Sequence, residues 1–476
     1  MDAMFALSDK AKRELSFIGL FGAFVFLQFT VLGLANHAGE GYLDTEQRTL
    51  VYYALQAFVI GGFLLHALFD RLASGKRARN AVAYGAFGVF VVCVAVMLLV
   101  GPASLACVVA SMAAALCVGG IGGAAHLRMS MATVEGVRVA RCMGIGSSVA
   151  VVLQYLLQIQ WGPTPALPVF MLAATGLLLF VLPHMAPETG AEGSGDVPPT
   201  LPRRIVFAVV TAAAFILFTC FYNEHIHHLM IQSDYASYTV YSWPRLMLVP
   251  GYLLFAAIGD RKGGRYVPIT SLCIMLIALL NVVLIGEQGA YWLNMCLFYL
   301  AIAAFTSYYL LTFWRLAPGT RNPALWAPFG RMLDSAMVLA AGAINLSALP
   351  MPVVVGLDIA GVALVIVMMA LDGDFNLAEA PTASEEPAPT LEERVRMLAA
   401  ECGLTDREQE ALEALVLTEG TNQQIADSLH ISRRQLQRHV SSIYEKTGAA
   451  NRAGLVMRAS GEVPPAEASG QTAPLA

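Results

Sequence analysis

Charge is scarce in this chain: 13% of its 476 residues are Asp, Glu, Lys or Arg, against roughly 25% in a soluble globular domain. With 57% hydrophobic residues there is too little polar surface to cover one water-soluble core, so that architecture is excluded. Paired cysteine is lacking too. Eight cysteines are present without any C-x-x-C pair or metal-ligand spacing, which excludes a thiolate metal framework and leaves them as small apolar residues of helix packing. No nucleophile, metal or phosphate-loop constellation stands out, so the chain is expected not to be an enzyme and to need no cofactor. The first apolar run is expected to be retained and not removed as a signal peptide. Leu15 to Ala35 has no small-residue cleavage site and is followed by further apolar runs, which marks it as a retained span.

What the chain has is long hydrophobic runs. About 20 apolar residues cross a bilayer as a helix, and twelve such runs are read at roughly 15–35, 50–69, 81–100, 103–125, 142–160, 166–184, 204–222, 241–259, 267–285, 291–313, 332–349 and 352–371. They lack strand-like alternation, and backbone in lipid must satisfy itself within the segment, so they are expected to be helices. Lys and Arg placement supports the count. With the N-terminus, alternate loops carry eighteen cations, from Lys10 to Arg331, while the other loops carry only Arg48 and Arg245. The positive-inside rule then puts both ends of the chain in the cytoplasm of a cell whose inner membrane holds the spans.

Glu188 to Pro202 is rich in Gly and Pro and divides the spans into two halves of six, about 10–187 and 203–371. Asp70-Arg71 after span two and Asp260-Arg261 after span eight sit at equivalent places in the halves, a weak internal symmetry of the kind seen in transporter folds. The second of these loops, with Asp260, Arg261, Gly263 and Arg265, resembles the loop motif of the major facilitator superfamily. The first copy departs from it through a displaced Gly75. The resemblance implies that the acidic–basic loop helps lock the cytoplasmic helix ends together.

The composition changes after residue 371. Residues 372–390 are acidic and rich in Ala and Pro, as a flexible linker is. In 391–460 the apolar residues take helical spacing, with Leu412, Leu415 and Val416 on one stripe and Leu436, Val440, Ile443 and Tyr444 on another. Thr405/Glu408 and Thr421/Gln424 fit capping boxes, Gly420 is expected to end a helix, and Ser432 and Asn451 can cap the third and fourth helices. Two short helices about a tight turn at His430-Ile431, the second with a basic outer face, describe a helix-turn-helix. A charged, solvated helix in an ordinary four-helix module has the same periodicity. The wording separates the two. Leu404-Thr405, Arg407-Glu408, Glu410, Leu412, Gly420, Asn422, Ile425-Ala426, Leu429, Ile431-Ser432, His439, Ile443, Lys446, Gly448 and Arg452 closely resemble the LuxR-type DNA-binding domain. That resemblance implies binding to double-stranded DNA as a homodimer, with Arg433, Arg434, Gln437, Arg438, Ser441 and Lys446 as the expected DNA-facing residues. Gln435-Leu436-Gln437 stands where the family usually has T-V-K. The segment carries nine Lys/Arg and ten Asp/Glu, so its non-specific affinity is expected to be modest.

The fold class read from the sequence is therefore all-α. A polytopic membrane helix bundle over 1–371 is followed by a linker over 372–390, a four-helix helix-turn-helix domain over 391–460 and a disordered tail over 461–476. In the membrane half, ionisable groups are the candidates for sensing a small molecule. Glu224, His225 and His228 share a helix face after span seven. They suit a metal (His225, His228), a titrating cluster, or a plain interfacial helix end. Arg245 suits an anionic ligand or snorkelling to the interface. Asp358, with Asp334, suits a proton or ligand site, or a helix–helix hydrogen bond. Gln28, Gln154, Gln158 and Asn294 are further polar candidates. Two functions are open at this stage: a membrane-anchored one-component transcription regulator, and a secondary transporter with an appended DNA-binding tail.

Overall fold

A computed structural model describes residues 9–35, 37–72, 76–159, 171, 173–178, 199–232, 242–285, 291–344, 349–371, 391–418 and 420–460. The chain divides into two compact units, 1–383 and 384–476. Helix is the dominant element of both among the described residues.

In the first unit the helices are α1 (Asp9–Ala35), α2 (Thr45–Leu72), α3 (Lys76–Val100), α4 (Leu105–Val134), α5 (Val139–Ile159), α6 (Pro202–Gln232), α7 (Leu248–Ile258), α8 (Tyr266–Ile285), α9 (Tyr291–Leu316), α10 (Phe329–Ile344) and α11 (Met351–Leu371). Among the described residues eight helices are long and apolar enough to cross a membrane, and Tyr84–Val100 and Trp243–Ile258 are shorter apolar helices. The other two expected spans are 166–184, which falls largely outside the described residues, and 332–349. The latter appears as α10, a helix of 16 residues that carries Arg331 and Asp334. The hinge at 188–198, the linker 372–390 and the tail 461–476 lie outside the described residues. Span eight differs from a single helix over 241–259. A 3-10 segment, Trp243–Met247, precedes α7. Pro244 and Pro250 each lack an N–H, which leaves the start of an α-helical ladder incomplete.

Small residues set the closest approaches. A Cβ on Gly119 would meet the Val59 carbonyl, and one on Gly62 the Leu116 carbonyl, so α2 and α4 touch backbone to backbone. Elsewhere in the first half α1 packs on α5, and in the second half α6 packs on α11 and α9. The halves meet through α5 with α7 and α2 with α10. Counted by expected span these are five with eight and eleven with two, equivalent pairs exchanged between the halves.

The loop after α7 shows what its acidic–basic pattern does. Asp260 accepts hydrogen bonds from the backbone N–H groups of Ala140 (3.0 Å) and Arg141 (2.8 Å). It thereby caps the start of α5 in the other half, where free N–H groups and the helix dipole favour a carboxylate. Arg315 of α9 donates to the Gly259 carbonyl beneath the same loop, and Gly264, at φ 85°, leaves no room for a Cβ beside that guanidinium. Glu14 of α1 holds Arg138 at 2.8 Å next to the start of α5.

In the second unit α12 (Leu391–Glu401), α13 (Asp406–Leu417), α14 (Asn422–Ser428), α15 (Arg433–Thr447) and α16 (Arg452–Ser460) surround a core of Val395, Leu412, Leu415, Ile425, Leu436, Ile443 and Leu455. The helix expected to end at Gly420 stops at Leu417. Thr418, in an extended conformation, takes the cap position there.

Candidate DNA-reading surface and membrane cavity

The turn between α14 and α15 is built by local chemistry. Ser432 accepts from the Gln435 N–H at 3.3 Å, and the Gln435 side chain accepts from the Ser432 N–H at 3.0 Å, a reciprocal capping box. The same exchange joins Thr421 and Gln424 at the start of α14. His430 holds φ 56° in the turn, a left-handed position that few residues other than glycine take. Gly448, at φ 67°, ends α15. Leu436, Ile443 and Thr447 face inward. Arg433, Arg434, Gln437, Arg438 and Ser441 are exposed, and among the described residues the three arginines carry no ion pair. They are free for phosphates and base edges.

Lys446, the last of the expected DNA-facing set, also makes a bond within the domain. Its ammonium lies 2.7 Å from Glu408 Oε2, and the Ser442 hydroxyl donates to Glu408 Oε1 at 2.6 Å. The Thr405 N–H also donates to Glu408, at 2.8 Å. Glu408 thus ties the first turn of α13 to the last turns of α15. Lys446 first, then Ser442 and Thr405, hold its carboxyl down at about 2. Arg452 is likewise structural. It donates to the Leu415 carbonyl at 2.8 Å and the Gly420 carbonyl at 2.7 Å, and also to that of Thr418, which satisfies carbonyls left free where α13 ends.

The membrane unit holds a partly open cavity of about 200 Å³. Phe21, Phe24 and Phe29 of α1 and Phe305 and Tyr309 of α9 form much of its apolar wall, and Gln28, His126, Arg331 and Asp334 bring polar groups to it. Arg331 donates from one nitrogen to the Tyr309 hydroxyl (2.9 Å) and to Asp334 Oδ2 (2.7 Å). Arg331 had the sequence signature of a loop cation, yet its side chain is only 17% exposed. The signal that would have found it is the i, i+3 Arg–Asp pair inside an otherwise apolar helix. His126 accepts at Nδ1 from the indole N–H of Trp314 (2.9 Å), and Ser130 donates to the Trp314 carbonyl (2.8 Å). These bonds fasten α4 to α9 across the two halves.

The sequence candidates scatter around this cavity. Arg245 is buried, donates to Gln154 at 2.6 Å and lies 5.4 Å over the Phe29 ring, which lines the cavity. Asp334 lines the cavity, whereas Asp358 does not join it there. Asp358 is 1% exposed on α11, and among the described residues neither carboxylate oxygen has a hydrogen-bond partner. Asn294 accepts from Tyr222 (3.1 Å) and Asn281 (2.6 Å). Gln28 lines the cavity. The side chains of Glu224, His225, His228 and Gln158 lie outside the described residues.

Residues 403–459 match the bacterial regulatory proteins of the luxR family. The crystal structure of the human organic anion transporter MFSD10 (TETRAN) is similar at a TM-score of 0.51 and 14% identity, covering 75% of this chain and 100% of that one. At that identity the likeness speaks for the fold, a major-facilitator-like helix bundle. A search of curated proteins finds no match. Residues 403–459 are thus a LuxR-type helix-turn-helix, which indicates a transcription regulator, in one chain with a membrane protein of transporter-like fold.

Proposed function

We propose that the chain is a membrane-anchored one-component transcription regulator of the bacterial inner membrane, with both termini cytoplasmic. A small molecule in the membrane unit shifts the balance between two helix packings and so controls sequence-specific DNA binding by a dimer of the C-terminal domains. The observation that carries this reading is the pairing in one chain of an uncommitted basic recognition-helix face with a bundle that holds a polar-studded cavity. A ligand works such a switch only by binding one packing more tightly than the other, and each factor of ten in that preference needs about 1.4 kcal/mol. The test is genome-wide DNA occupancy of the full-length protein beside Arg434→Ala/Arg438→Ala. Discrete sites lost in the variant support the reading, and occupancy identical in the two proteins sinks it.

A second reading, a secondary transporter with a DNA-binding tail, draws on the buried unpartnered carboxylate of Asp358, since such groups serve ion relays in transporters. It requires solute uptake into vesicles that depends on an ion gradient. A sensor instead changes reporter expression on substitution of Arg245 or Asp358 with no uptake in either protein.

A further inference from the structure

The polar atoms of the cavity are unbalanced. Gln28 is 4% exposed, and among the described residues its amide nitrogen has no hydrogen-bond partner. The same holds for Arg331 Nε. His126 is fully buried, and its Nε2 is likewise without a partner. The tautomer of that ring follows from its neighbour. The Trp314 indole can only donate, and it points at Nδ1, so Nδ1 carries the lone pair and the ring proton sits on Nε2. Three residues lining one cavity therefore each hold a buried donor with nothing to accept it. A buried polar group left in that state costs about 1–3 kcal/mol, and Arg331 already occupies the Tyr309 hydroxyl oxygen and Asp334 Oδ2.

The geometry points to a small organic anion as the ligand of this cavity: an aromatic body carrying a carboxylate. The carboxylate is acceptor-only and matches donors on α1, α4 and α10 at once. Arg331 keeps Asp334 on its Nη1 and offers Nε to the ligand. An ionised acceptor is favoured over a neutral one, because charge-assisted hydrogen bonds are roughly twice as strong as neutral ones. The body lies against Phe21, Phe24, Phe29 and Phe305, whose rings favour offset or edge contacts with another ring. At about 200 Å³ the cavity is below the roughly 300–1,000 Å³ of sites for drug-sized ligands, so the body is a single ring. Because its donors come from both halves, bound ligand favours the packing in which they converge. This inference rests on the sensor reading for its consequence, but not for the binding itself.

The test is binding to the purified full-length protein in detergent, read as thermal shift and tryptophan fluorescence, with phenylacetate, phenylacetamide and phenethylamine as probes of matched shape. Phenylacetate binds about tenfold or more tighter than the amide, and the amine does not bind. Gln28→Leu and Arg331→Lys each weaken phenylacetate about tenfold while the unliganded protein keeps its melting temperature within a few degrees. Equal affinity for amine and carboxylate overturns the assignment. So does phenylacetate binding unchanged in both variants, or no binding of phenylacetate and benzoate. DNA occupancy measured in parallel separates the two claims: binding with unaltered occupancy supports the anion site and overturns the sensor reading, and ligand-dependent occupancy with amines alone does the reverse.

Discussion

The two units place their cations in opposite ways. In the DNA-reading unit Leu436 and Ile443 are buried, while Arg433, Arg434 and Arg438 face water. In the membrane unit Leu99 is 85% exposed and Val92 63% exposed, while the Arg331 side chain and Arg245 are held inside against Asp334, Tyr309 and Gln154. One helix-forming chemistry is turned inside out by its solvent: lipid accepts apolar side chains and water does not. The lesson for function is that an exposed arginine in the second unit is available to a partner. A buried arginine in the first is costly unless it is paired or meets a ligand.

The comparison breaks most completely at its closest packing. Gly119→Val puts a branched side chain where α2 and α4 touch, and the folded membrane unit is lost, measured as absence of a monodisperse peak after detergent extraction. Leu436→Ala empties a site in the small soluble core and costs about 2–5 kcal/mol, read as raised protease sensitivity of the C-terminal unit with the membrane unit intact. Arg434→Ala/Arg438→Ala leaves that core alone. It weakens DNA binding across sequences and lowers the slope of log affinity against log salt by about two.

A finer test concerns Glu408. Its carboxyl is held at about 2, below the ordinary 4.5, chiefly by Lys446. A lowered folded-state value means that the stabilisation is fully present above about pH 4.5 and is lost as pH falls towards 2. Glu408→Gln removes that acid dependence and costs about 1–2 kcal/mol at neutral pH, discounted because Lys446 is partly in solvent. The smallest effect is expected of Asp260→Ala. It uncaps α5 for about 1 kcal/mol and loosens the halves at that end, seen as faster labelling of a cysteine placed at Ala140.

The helices of the second unit were legible because spacing, capping residues and turn residues lie next to one another in the chain. Thr421 with Gln424 and Ser432 with Gln435 are three residues apart, and such pairs need no tertiary information. The pairing of Lys446 was hidden for the opposite reason: its partner Glu408 is 38 residues away, so the bond shows only when α13 meets α15. Arg331 was misjudged because a cation near a span end reads as a topology signal until burial is known.

The sequence by itself determined the all-helical class, the run of apolar spans and the LuxR-type character of residues 403–459, because hydrophobic period, span length and caps are local properties. The tertiary structure alone decided which polar residues meet. Gln28, His126 and Arg331 lie on three helices and line one cavity. Asp260 reaches across the halves to cap α5, and Asp334 lines that cavity without Asp358. Such meetings depend on the crossing and rotation of packed helices, and those are fixed by where small residues such as Gly62 and Gly119 let backbones approach.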